Sequence, residues 1–207
     1  MPRPRFITLE GGEGSGKSTQ ARLLADRLRN EGHDVVLTRE PGGTPGAEAI
    51  RALLVTGEPD RWTPWSDALL MTAARVDHVQ RVVRPALARG ATVICDRFID
   101  STRAYQGAGR GLPDAALTRL HDYAVGLWPD LTLVLLLDEV EGLRRAEARA
   151  SSMGSTEARF EAIGADFHAR VQGFFKALPA AEAQRCRAID AAGSIESVGS
   201  RIRAALA

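Results

Sequence analysis

Short apolar runs alternate along the chain with longer segments in which apolar residues recur at helical spacing. The short runs predict strands near residues 6–9, 35–38, 92–95, 131–137 and 187–189. The longer segments predict helices near residues 18–29, 47–55, 66–88, 113–125, 141–149, 157–177 and 194–206. Strands that are apolar throughout and alternate with helices are typical of a parallel sheet with helices on both faces. The pattern therefore predicts an α/β fold, and because no repeat or linker interrupts it, we interpret residues 1–207 as a single domain.

Composition and charge argue against several broad classes of protein. Hydrophobic residues make up 44% of the chain, charged residues 26%, and the formal net charge is +1, so we expect no general attraction to nucleic acid or to a membrane. The longest apolar run, 131–137, is too short to cross a bilayer, and the N-terminus lacks the apolar run of a signal peptide. Only Cys95 and Cys186 are present, which fits a reducing cytoplasm. We expect both cysteines to be small apolar residues within strands.

The strongest chemical signal is GGEGSGKST, which lies between the first predicted strand and the first predicted helix. It matches the Gly-x4-Gly-Lys-Ser pattern of a phosphate-binding loop. Glycines let backbone N–H groups turn toward phosphates, and the helix start adds further N–H groups and the positive end of a helix dipole. Lys17 is expected to reach the β- and γ-phosphates, and the Ser18 hydroxyl to ligate Mg²⁺. The predicted triphosphate-binding residues are Gly11, Gly12, Glu13, Gly14, Ser15, Gly16, Lys17, Ser18 and Thr19.

A second signal follows the third predicted strand, which ends in Asp96 and Arg97. Because ligands of open parallel sheets bind beyond the carboxyl ends of the strands, this pair is expected to face the phosphates. Asp96 is predicted to hold Mg²⁺ through water, and Arg97 to clamp the phosphate of a second substrate. A purely structural ion pair is the alternative. Glu13 and Glu40 are further polar groups expected at the same edge of the sheet.

The region from Met71 to Gln106 offers candidates for the second substrate. Arg75 lies four residues after Met71 on a predicted helix, so the two residues share one face. An apolar side chain beside a cation suits a nucleobase with a phosphate nearby, and Tyr105 and Gln106 follow along the chain. The alternative places Met71 in the core and Arg75 on the surface.

The segment ASSMGST at residues 150–156 is small and polar, and it separates two stretches that carry Arg144, Arg145, Arg149 and Arg159. These arginines could simply lie on solvated helix faces beside an ordinary surface loop. However, phosphoryl transfer needs cations that close over the γ-phosphate. We therefore favour an arginine-bearing lid at about residues 144–160.

Taken together, these motifs resemble those of a known family. GGEGSGKST, REPGGT at 39–44, AAR at 73–75, CDRF at 95–98, STRAYQGAGRGLP at 101–113 and RRAEAR at 144–149 closely resemble bacterial thymidylate kinases. The similarity runs in order from about Phe6 to Leu206. It implies a P-loop kinase fold with the parallel strand order 2-3-1-4-5. It also implies a homodimer that transfers the γ-phosphate of ATP to dTMP, giving dTDP and ADP, with Mg²⁺ as cofactor.

The resemblance also implies roles for individual residues. Lys17, Ser18 and Thr19 resemble the triphosphate and Mg²⁺ ligands, and Glu13 resembles a carboxylate near the 3′-hydroxyl of the deoxyribose. The residues that resemble the dTMP site are Glu13, Glu40, Arg51, Met71, Arg75, Arg97, Thr102, Tyr105 and Gln106. Among them Arg97 matches the phosphate ligand, Gln106 a contact to thymine and Tyr105 a contact to the sugar. Residues 190–193 resemble the segment beside the adenine.

Two subtypes of the family differ in where the catalytic arginine lies. One carries it in the phosphate-binding loop, and the other supplies it from the lid. The loop of this chain contains no arginine, so the chain resembles the lid-arginine subtype. Arg149 is the best candidate for the catalytic cation alongside Lys17 and Arg97, with Arg145 and Arg159 as alternatives, and Arg145 is also a candidate ATP contact.

Three departures from the family pattern limit this assignment. Met71 stands where many relatives have a phenylalanine on the thymine, and a methionine stacks less well, so we expect looser base selection. Leu136 stands where relatives often have an aspartate, which leaves Asp138 on that strand and gives Asp96 more weight as a Mg²⁺ ligand. The lid segment ASSMGST is longer and less charged than the short turn common in relatives.

Two alternative functions remain open at this point. One is another nucleotide or nucleoside kinase on the same fold, with dUMP or a deoxynucleoside as acceptor. The other is a P-loop switch that hydrolyses GTP. Such switches usually carry a guanine-reading motif of the N-K-x-D kind, and no such string occurs in this chain.

Overall fold

The computed structural model describes residues 6–138, 140–142, 144–145, 159–160 and 163–206. Its centre is a five-stranded sheet with the order β2-β3-β1-β4-β5. The strands are β1 (Phe6–Gly11), β2 (Val35–Arg39), β3 (Thr92–Asp96), β4 (Leu131–Leu136) and β5 (Cys186–Asp190). All four neighbouring pairs are parallel. The predicted strands and the strand order 2-3-1-4-5 are therefore confirmed.

Helices cover both faces of this sheet. They are α1 (Lys17–Asn30), α2 (Pro45–Val55), α3 (Pro64–His78), α4 (Arg84–Ala88), α5 (Ile99–Thr102), α6 (Asp114–Ala124), α7 (Ala165–Ala181) and α8 (Ile195–Leu206). A π-helical segment, Val79–Val83, joins α3 to α4, and a second one, Arg103–Gly109, continues α5. Residues 140–142 and 144–145 are also helical. Among the described residues, no helix combines the length and apolar character needed to span a membrane.

Two expectations about helices need correction. The helix predicted at 157–177 begins only at Ala165. Gly164, the residue before it, has an extended backbone, and Arg159 and Phe160 lie in a turn. The second correction is an addition, because the sequence analysis predicts no element at Ile99–Gly109, which the structure shows to be helical. Gly109 is required by packing, because a Cβ at this position would clash with the ring of Phe167 on α7. Tertiary packing thus overrides local propensity there.

The register of the sheet brings the functional segments together. Leu9 of β1 pairs with Asp96 of β3, and Gly11 of β1 pairs with Leu135 of β4. The carboxyl ends of β1 and β3 therefore lie side by side, and the loops that follow them meet at one edge of the sheet. Cys95 and Cys186 are buried free thiols in β3 and β5, as expected.

Most of the predicted lid at about 144–160 lies outside the described residues. Arg149 and the segment 150–156 are among the residues not described. The lid and the role of Arg149 therefore stay predictions.

Candidate active site

The phosphate-binding loop connects β1 to α1, and its backbone conformation requires glycine. Gly11, Gly14 and Gly16 all have positive φ, at 138°, 68° and 87°. A Cβ at Gly14 would also collide with the carbonyl of Gly142. Gly16 is the N-cap of α1 and has no side chain with which to cap the helix. The first N–H groups of α1 are therefore left to an anionic ligand at the positive end of the helix.

Lys17 curls back over this loop. Its Nζ donates to the carbonyl of Gly12 at 2.7 Å and to Ser15 Oγ at 3.2 Å, and Ser15 Oγ donates to the same carbonyl at 2.8 Å. Burial, followed by the nearby Arg97 guanidinium, lowers the pKa of Lys17 to about 8. The ammonium is thus held in place by weak neutral acceptors, which a phosphate can replace with a stronger charged partner.

Ser18 and Asp96 bring two side-chain oxygen atoms together at the edge of the sheet. Ser18 Oγ donates to Asp96 Oδ2. Asp96 Oδ1 is buried and has no hydrogen-bond partner among the described residues. Hydroxyl and carboxylate oxygens are the ligands that Mg²⁺ prefers, so the residues present fit this ion.

Asp138, which the sequence suggested as the carboxylate at the end of the fourth strand, lies two residues beyond β4 and has a different role. Its Oδ1 accepts hydrogen bonds from the backbone N–H groups of Val140 and Glu141, at 3.0 and 3.3 Å. It therefore caps the helical residues that follow β4. Asp96 remains the carboxylate that faces Ser18.

Arg97 lies in the cavity between the phosphate-binding loop and α5. Its Nη2 donates to Glu13 Oε1 at 2.7 Å, and its Nη1 donates to Ser101 Oγ at 3.0 Å. The Tyr105 hydroxyl donates to the same Glu13 oxygen at 2.7 Å. Burial is the largest single influence on the pKa of Arg97 and lowers it. The electrostatic attraction of Tyr105 and of nearby carboxylates, the strongest of them Glu13, outweighs burial, so the pKa is raised overall. The guanidinium is therefore a permanent cation beside the loop.

Arg75 is held by a chain of buried polar groups. Its Nε donates to Glu40 Oε2 at 2.7 Å and its Nη2 donates to Thr102 Oγ1 at 2.9 Å. His78 Nδ1 lies 2.9 Å from the other Glu40 oxygen, and its Nε2 lies 2.7 Å from Thr38 Oγ1. Arg75 is 2% exposed, so the alternative that placed it on the surface is wrong. Glu40, predicted as a contact to the acceptor, also fixes the orientation of Arg75.

These groups face one cavity of about 500 Å³. Its lining includes every residue predicted for the acceptor: Glu13, Glu40, Arg51, Met71, Arg75, Arg97, Thr102, Tyr105 and Gln106. From the loop it includes Gly14, Gly16, Lys17, Ser18 and Thr19, and Asp96 joins them from β3. Gly11, Gly12 and Ser15 are buried in the loop. The sequence signals from distant parts of the chain thus converge on one space.

Besides Asp96, two side chains in this lining have buried polar atoms without a hydrogen-bond partner among the described residues. Both the oxygen and the nitrogen of the Gln106 carboxamide are buried and unpaired among the described residues, and so is Nη1 of Arg75. An unpaired buried polar group costs roughly 1–3 kcal/mol, so these atoms point to a polar ligand. The ligand must accept from a guanidinium and both donate to and accept from a carboxamide.

The structure places two of the three candidate lid arginines. Arg159 has a fully buried side chain that donates to Asp67 at 2.9 Å and to the carbonyls of Leu54, Glu58 and Pro59. Its guanidinium is committed to the protein and is not offered to the cavity. Arg145 Nε donates to Glu141 Oε1 at 2.7 Å and is one-third exposed.

Several residues in and beside the cavity were not predicted as site residues. Glu10 is a fully buried carboxylate and the one charged residue of β1, and a charge within a strand that is otherwise uncharged is the sequence signal that could have identified it. Phe160 also lines the cavity and contacts Tyr105 edge to face, with ring centroids 5.8 Å apart. The remaining unpredicted lining residues are Arg22, Arg39, Pro41, Val55, Phe98 and Ser101.

Comparison with known proteins gives a consistent result. A family model described as thymidylate kinase matches residues 9–202. The chain is 54% identical over 203 residues to a thymidylate kinase of Caulobacter vibrioides, covering 98% of this chain and 95% of that protein. It is 51% identical over 197 residues to a thymidylate kinase of Ruegeria pomeroyi, covering 95% and 92%. A crystal structure of thymidylate kinase from Ehrlichia chaffeensis superposes with a TM-score of 0.78 at 33% identity, and both chains are fully covered.

Proposed function

The chain belongs to the thymidylate kinase family, and on that premise we propose how its residues divide the two substrates. The reaction is transfer of the γ-phosphate of ATP to dTMP, which gives dTDP and ADP for nucleotide biosynthesis. The loop between β1 and α1 binds the ATP phosphates. The part of the cavity between α3 and the run from Ile99 to Gly109 binds dTMP.

The observation that carries the acceptor assignment is the unpaired carboxamide of Gln106. Thymine presents an N3–H donor flanked by carbonyl acceptors, and a carboxamide complements such an edge with one acceptor and one donor. The unpaired Nη1 of Arg75 supplies a further donor for a carbonyl or phosphate oxygen. Met71 lines the same space and offers an apolar surface for the base. The space is therefore matched to a pyrimidine with an imide edge.

The sugar and phosphate of dTMP are assigned to the opposite end of this space. Arg97, Glu13 and Tyr105 already form a hydrogen-bonded cluster there. In our proposal Arg97 turns from Glu13 to the monophosphate, which frees the Glu13 carboxylate to accept from the 3′-hydroxyl. Arg51, which donates to the carbonyl of Pro41 at 2.9 Å, lies in the same lining and adds positive charge near the phosphate.

The donor side rests on Lys17, Ser18 and Asp96. Lys17 leaves the Gly12 carbonyl and donates to the β- and γ-phosphate oxygens. The Ser18 hydroxyl and the unpaired Asp96 oxygen would hold Mg²⁺, directly or through water. When bound, Mg²⁺ supplies positive charge that neutralises the β- and γ-phosphates.

The chemistry needs no covalent intermediate and no general base on the protein. An oxygen of the dTMP phosphate is already anionic, so the main task is to align two phosphates and to neutralise their repulsion. Lys17 and Arg97 provide two of the required cations. We assign the third to Arg149, which lies outside the described residues, because Arg159 is committed to Asp67 and Arg145 is paired with Glu141.

We also propose that the enzyme is a cytoplasmic homodimer. Two buried free cysteines fit a reducing compartment. Trp65 and Leu69 on α3, with Leu53 on α2, are apolar side chains that are each more than 40% exposed. A dimer that covers them would bury an otherwise exposed apolar surface. Light scattering coupled to size-exclusion chromatography, on the wild type and on Leu69→Lys, tests the proposed dimer. A monomeric wild type contradicts the proposal.

The acceptor assignment is tested by steady-state kinetics with ATP and five acceptors: dTMP, dUMP, dCMP, UMP and thymidine. We expect the highest kcat/KM for dTMP and a low value for dCMP, because cytosine presents an acceptor where thymine presents N3–H. A clear preference for another acceptor would overturn the assignment of the pocket. ADP formation without any acceptor would indicate a hydrolase instead.

A further inference from the structure

Glu10 is a buried carboxylate for which the reaction as derived above has no use. It lies near the end of β1, directly before the phosphate-binding loop, and it is fully buried. Its Oε1 accepts hydrogen bonds from the backbone N–H groups of Phe98, at 2.7 Å, and Ser101, at 3.3 Å. Its Oε2 accepts from the Ser101 hydroxyl at 2.6 Å. All three donors belong to the segment that directly follows Arg97.

The backbone at this segment is strained. Arg97 has a φ of 68°, and among the described residues it is the only one other than glycine with a positive φ. A long side chain avoids this left-handed region unless the surrounding structure enforces it. The N–H of Arg97 donates to the Leu9 carbonyl at 3.0 Å, and Glu10, the next residue, holds the N–H of Phe98. Neighbouring residues of β1 therefore hold the backbone on both sides of the strained residue.

Ser101 extends this control to the guanidinium itself. Its hydroxyl donates to Glu10 Oε2 and accepts from Nη1 of Arg97 at 3.0 Å. Because a hydroxyl has one hydrogen, the donation to Glu10 leaves only its lone pairs for Arg97. The ionised carboxylate thus sets the direction of the Ser101 hydroxyl, and the hydroxyl sets one end of the Arg97 side chain.

Stability alone does not explain a carboxylate at this position. Burial, and then the neighbouring Asp100 carboxylate, raise the pKa of Glu10 to about 7, although Ser101, Arg97 and the Phe98 N–H act in the opposite direction. The folded protein therefore binds this proton more tightly than the unfolded chain does, so stability falls as the pH rises from the ordinary glutamate value of 4.5 to about 7 and stays lower above it. A glutamine would fill the same space without that cost. The charge is therefore expected to serve another purpose.

We propose that Glu10 is a positioning residue for the acceptor, which acts through Phe98 and Ser101 to aim Arg97 at the monophosphate. This inference rests on the proposed role of Arg97 toward dTMP. It separates the functions of two neighbours in the chain: the loop after Glu10 binds the donor, whereas Glu10 itself organises the acceptor site. Its loss should therefore affect dTMP and leave ATP binding unchanged.

The test is Glu10→Gln at pH 8, with dTMP affinity measured by titration calorimetry without ATP. A glutamine keeps one oxygen that can accept from both N–H groups, but it presents a donor in place of the oxygen that faces Ser101. The Ser101 hydroxyl must then accept from the amide, so it no longer presents its lone pairs to Arg97 as it does beside the carboxylate. We expect dTMP to bind about tenfold more weakly, as for loss of one charge-assisted hydrogen bond. The KM for ATP and the Tm should not worsen. Unchanged dTMP affinity would overturn the proposal.

Thr8→Val is the matched control. Thr8 lies two residues earlier on β1, and its hydroxyl is hydrogen-bonded to Thr132 at 2.9 Å, away from the segment after Arg97. This variant should lower the Tm and leave dTMP affinity unchanged. If it weakens dTMP binding as much as Glu10→Gln does, the effect belongs to β1 in general and the proposal fails.

A double-mutant cycle with Arg97→Ala separates this inference from the function on which it rests. If Glu10 acts through Arg97, Glu10→Gln has no further effect on dTMP affinity in the Arg97→Ala background. Additive losses contradict the proposal. If Arg97→Ala alone leaves dTMP affinity intact, the proposed acceptor role of Arg97 is wrong, and the inference that rests on it is wrong as well.

Should Glu10→Gln not fold, Ser101→Ala takes its place in the same cycle, because it removes the hydroxyl that joins Glu10 to Arg97. The same outcomes support or contradict the proposal.

Discussion

Arg159 and Asp67 form a fully buried ion pair, in which Nη1 donates to Oδ1 at 2.9 Å and Nη2 donates to Oδ2 at 3.2 Å. Arg159 lies at the C-terminal end of the predicted lid, three residues after the segment 150–156. Asp67 lies on α3, four residues before Met71 and eight before Arg75. The pair therefore joins the end of the predicted lid to the helix that carries the predicted acceptor residues Met71 and Arg75. Arg110 also binds Asp67 and completes the cluster.

Replacement of Arg159 should lower the stability of the folded protein severely. Arg159→Leu leaves the Asp67 carboxylate buried with Arg110 as its remaining charged partner, and removal of one partner of a buried pair typically costs about 3–5 kcal/mol. For a chain of this size we expect a fall in Tm of about 6 °C or more. Thermal unfolding followed by circular dichroism measures it. Arg144→Leu, which breaks the exposed pair with Glu141, should leave the Tm unchanged. A small effect of Arg159→Leu would show that the pair does not anchor this part of the chain.

Much of the architecture and half of the site follow from local pattern. Apolar strands alternating with amphipathic helices predict the parallel sheet, and the glycines of the loop predict a phosphate site because backbone geometry at Gly11, Gly14 and Gly16 demands them. Asp96 and Arg97 follow from the rule that ligands bind beyond strand ends. Met71, Arg75 and Gln106 are suggested as acceptor residues by their chemistry and spacing. Arg51 and Thr102 came from the family resemblance alone.

The remainder depends on contacts between residues far apart in sequence. Glu10 and Ser101 are 91 positions apart, and Asp67 and Arg159 are 92 apart. No local periodicity encodes such a pair, and a charged residue in isolation reads as solvent-exposed. The helical run through Gly107 and Gly109 was missed for a related reason, because its stability comes from packing on α7.

Gln106 should control the choice of base. Gln106→Leu removes the carboxamide whose two polar atoms are unpaired in the structure, so we expect the KM for dTMP to rise roughly 10- to 100-fold. The ratio of kcat/KM for dTMP over dCMP should fall, since the carboxamide distinguishes the two edges. Steady-state kinetics with both acceptors measure this ratio.

Gln20→Leu is the control for this substitution. Gln20 is also buried, but its Nε2 donates to the Ile195 carbonyl at 2.9 Å, outside the cavity lining. Its replacement should reduce the Tm without any change in base discrimination. A Gln106→Leu enzyme that still discriminates dTMP from dCMP as the wild type does is incompatible with Gln106 reading the base.

Lys17 should give the donor site a dependence on pH. Because the pKa of Lys17 in the free enzyme is lowered to about 8, its ammonium loses the proton as the pH rises through that value. The neutral amine cannot attract the triphosphate, so kcat/KM for ATP should fall above about pH 8, and this parameter reports groups of the free enzyme. Lys17→Arg keeps a cation at these pH values. In that variant the alkaline decline should disappear, even if the overall rate is lower, and a persistent decline would assign it to another group.

Arg149 is predicted to act on turnover rather than on acceptor binding. Arginines that contact the transferring phosphoryl group are worth roughly 10³–10⁵ in rate in related reactions, so Arg149→Ala should reduce kcat by a large factor. The affinity for dTMP should change little, because the acceptor site that we propose consists of Arg75, Arg97 and Gln106 and does not include Arg149. Single-turnover kinetics and calorimetry with dTMP separate the two effects.

Arg145→Ala provides the comparison, since Arg145 pairs with Glu141 in the structure. If kcat falls more for Arg145→Ala than for Arg149→Ala, the catalytic role moves to Arg145. Equal losses of binding and turnover in Arg149→Ala contradict a role confined to the transferring group.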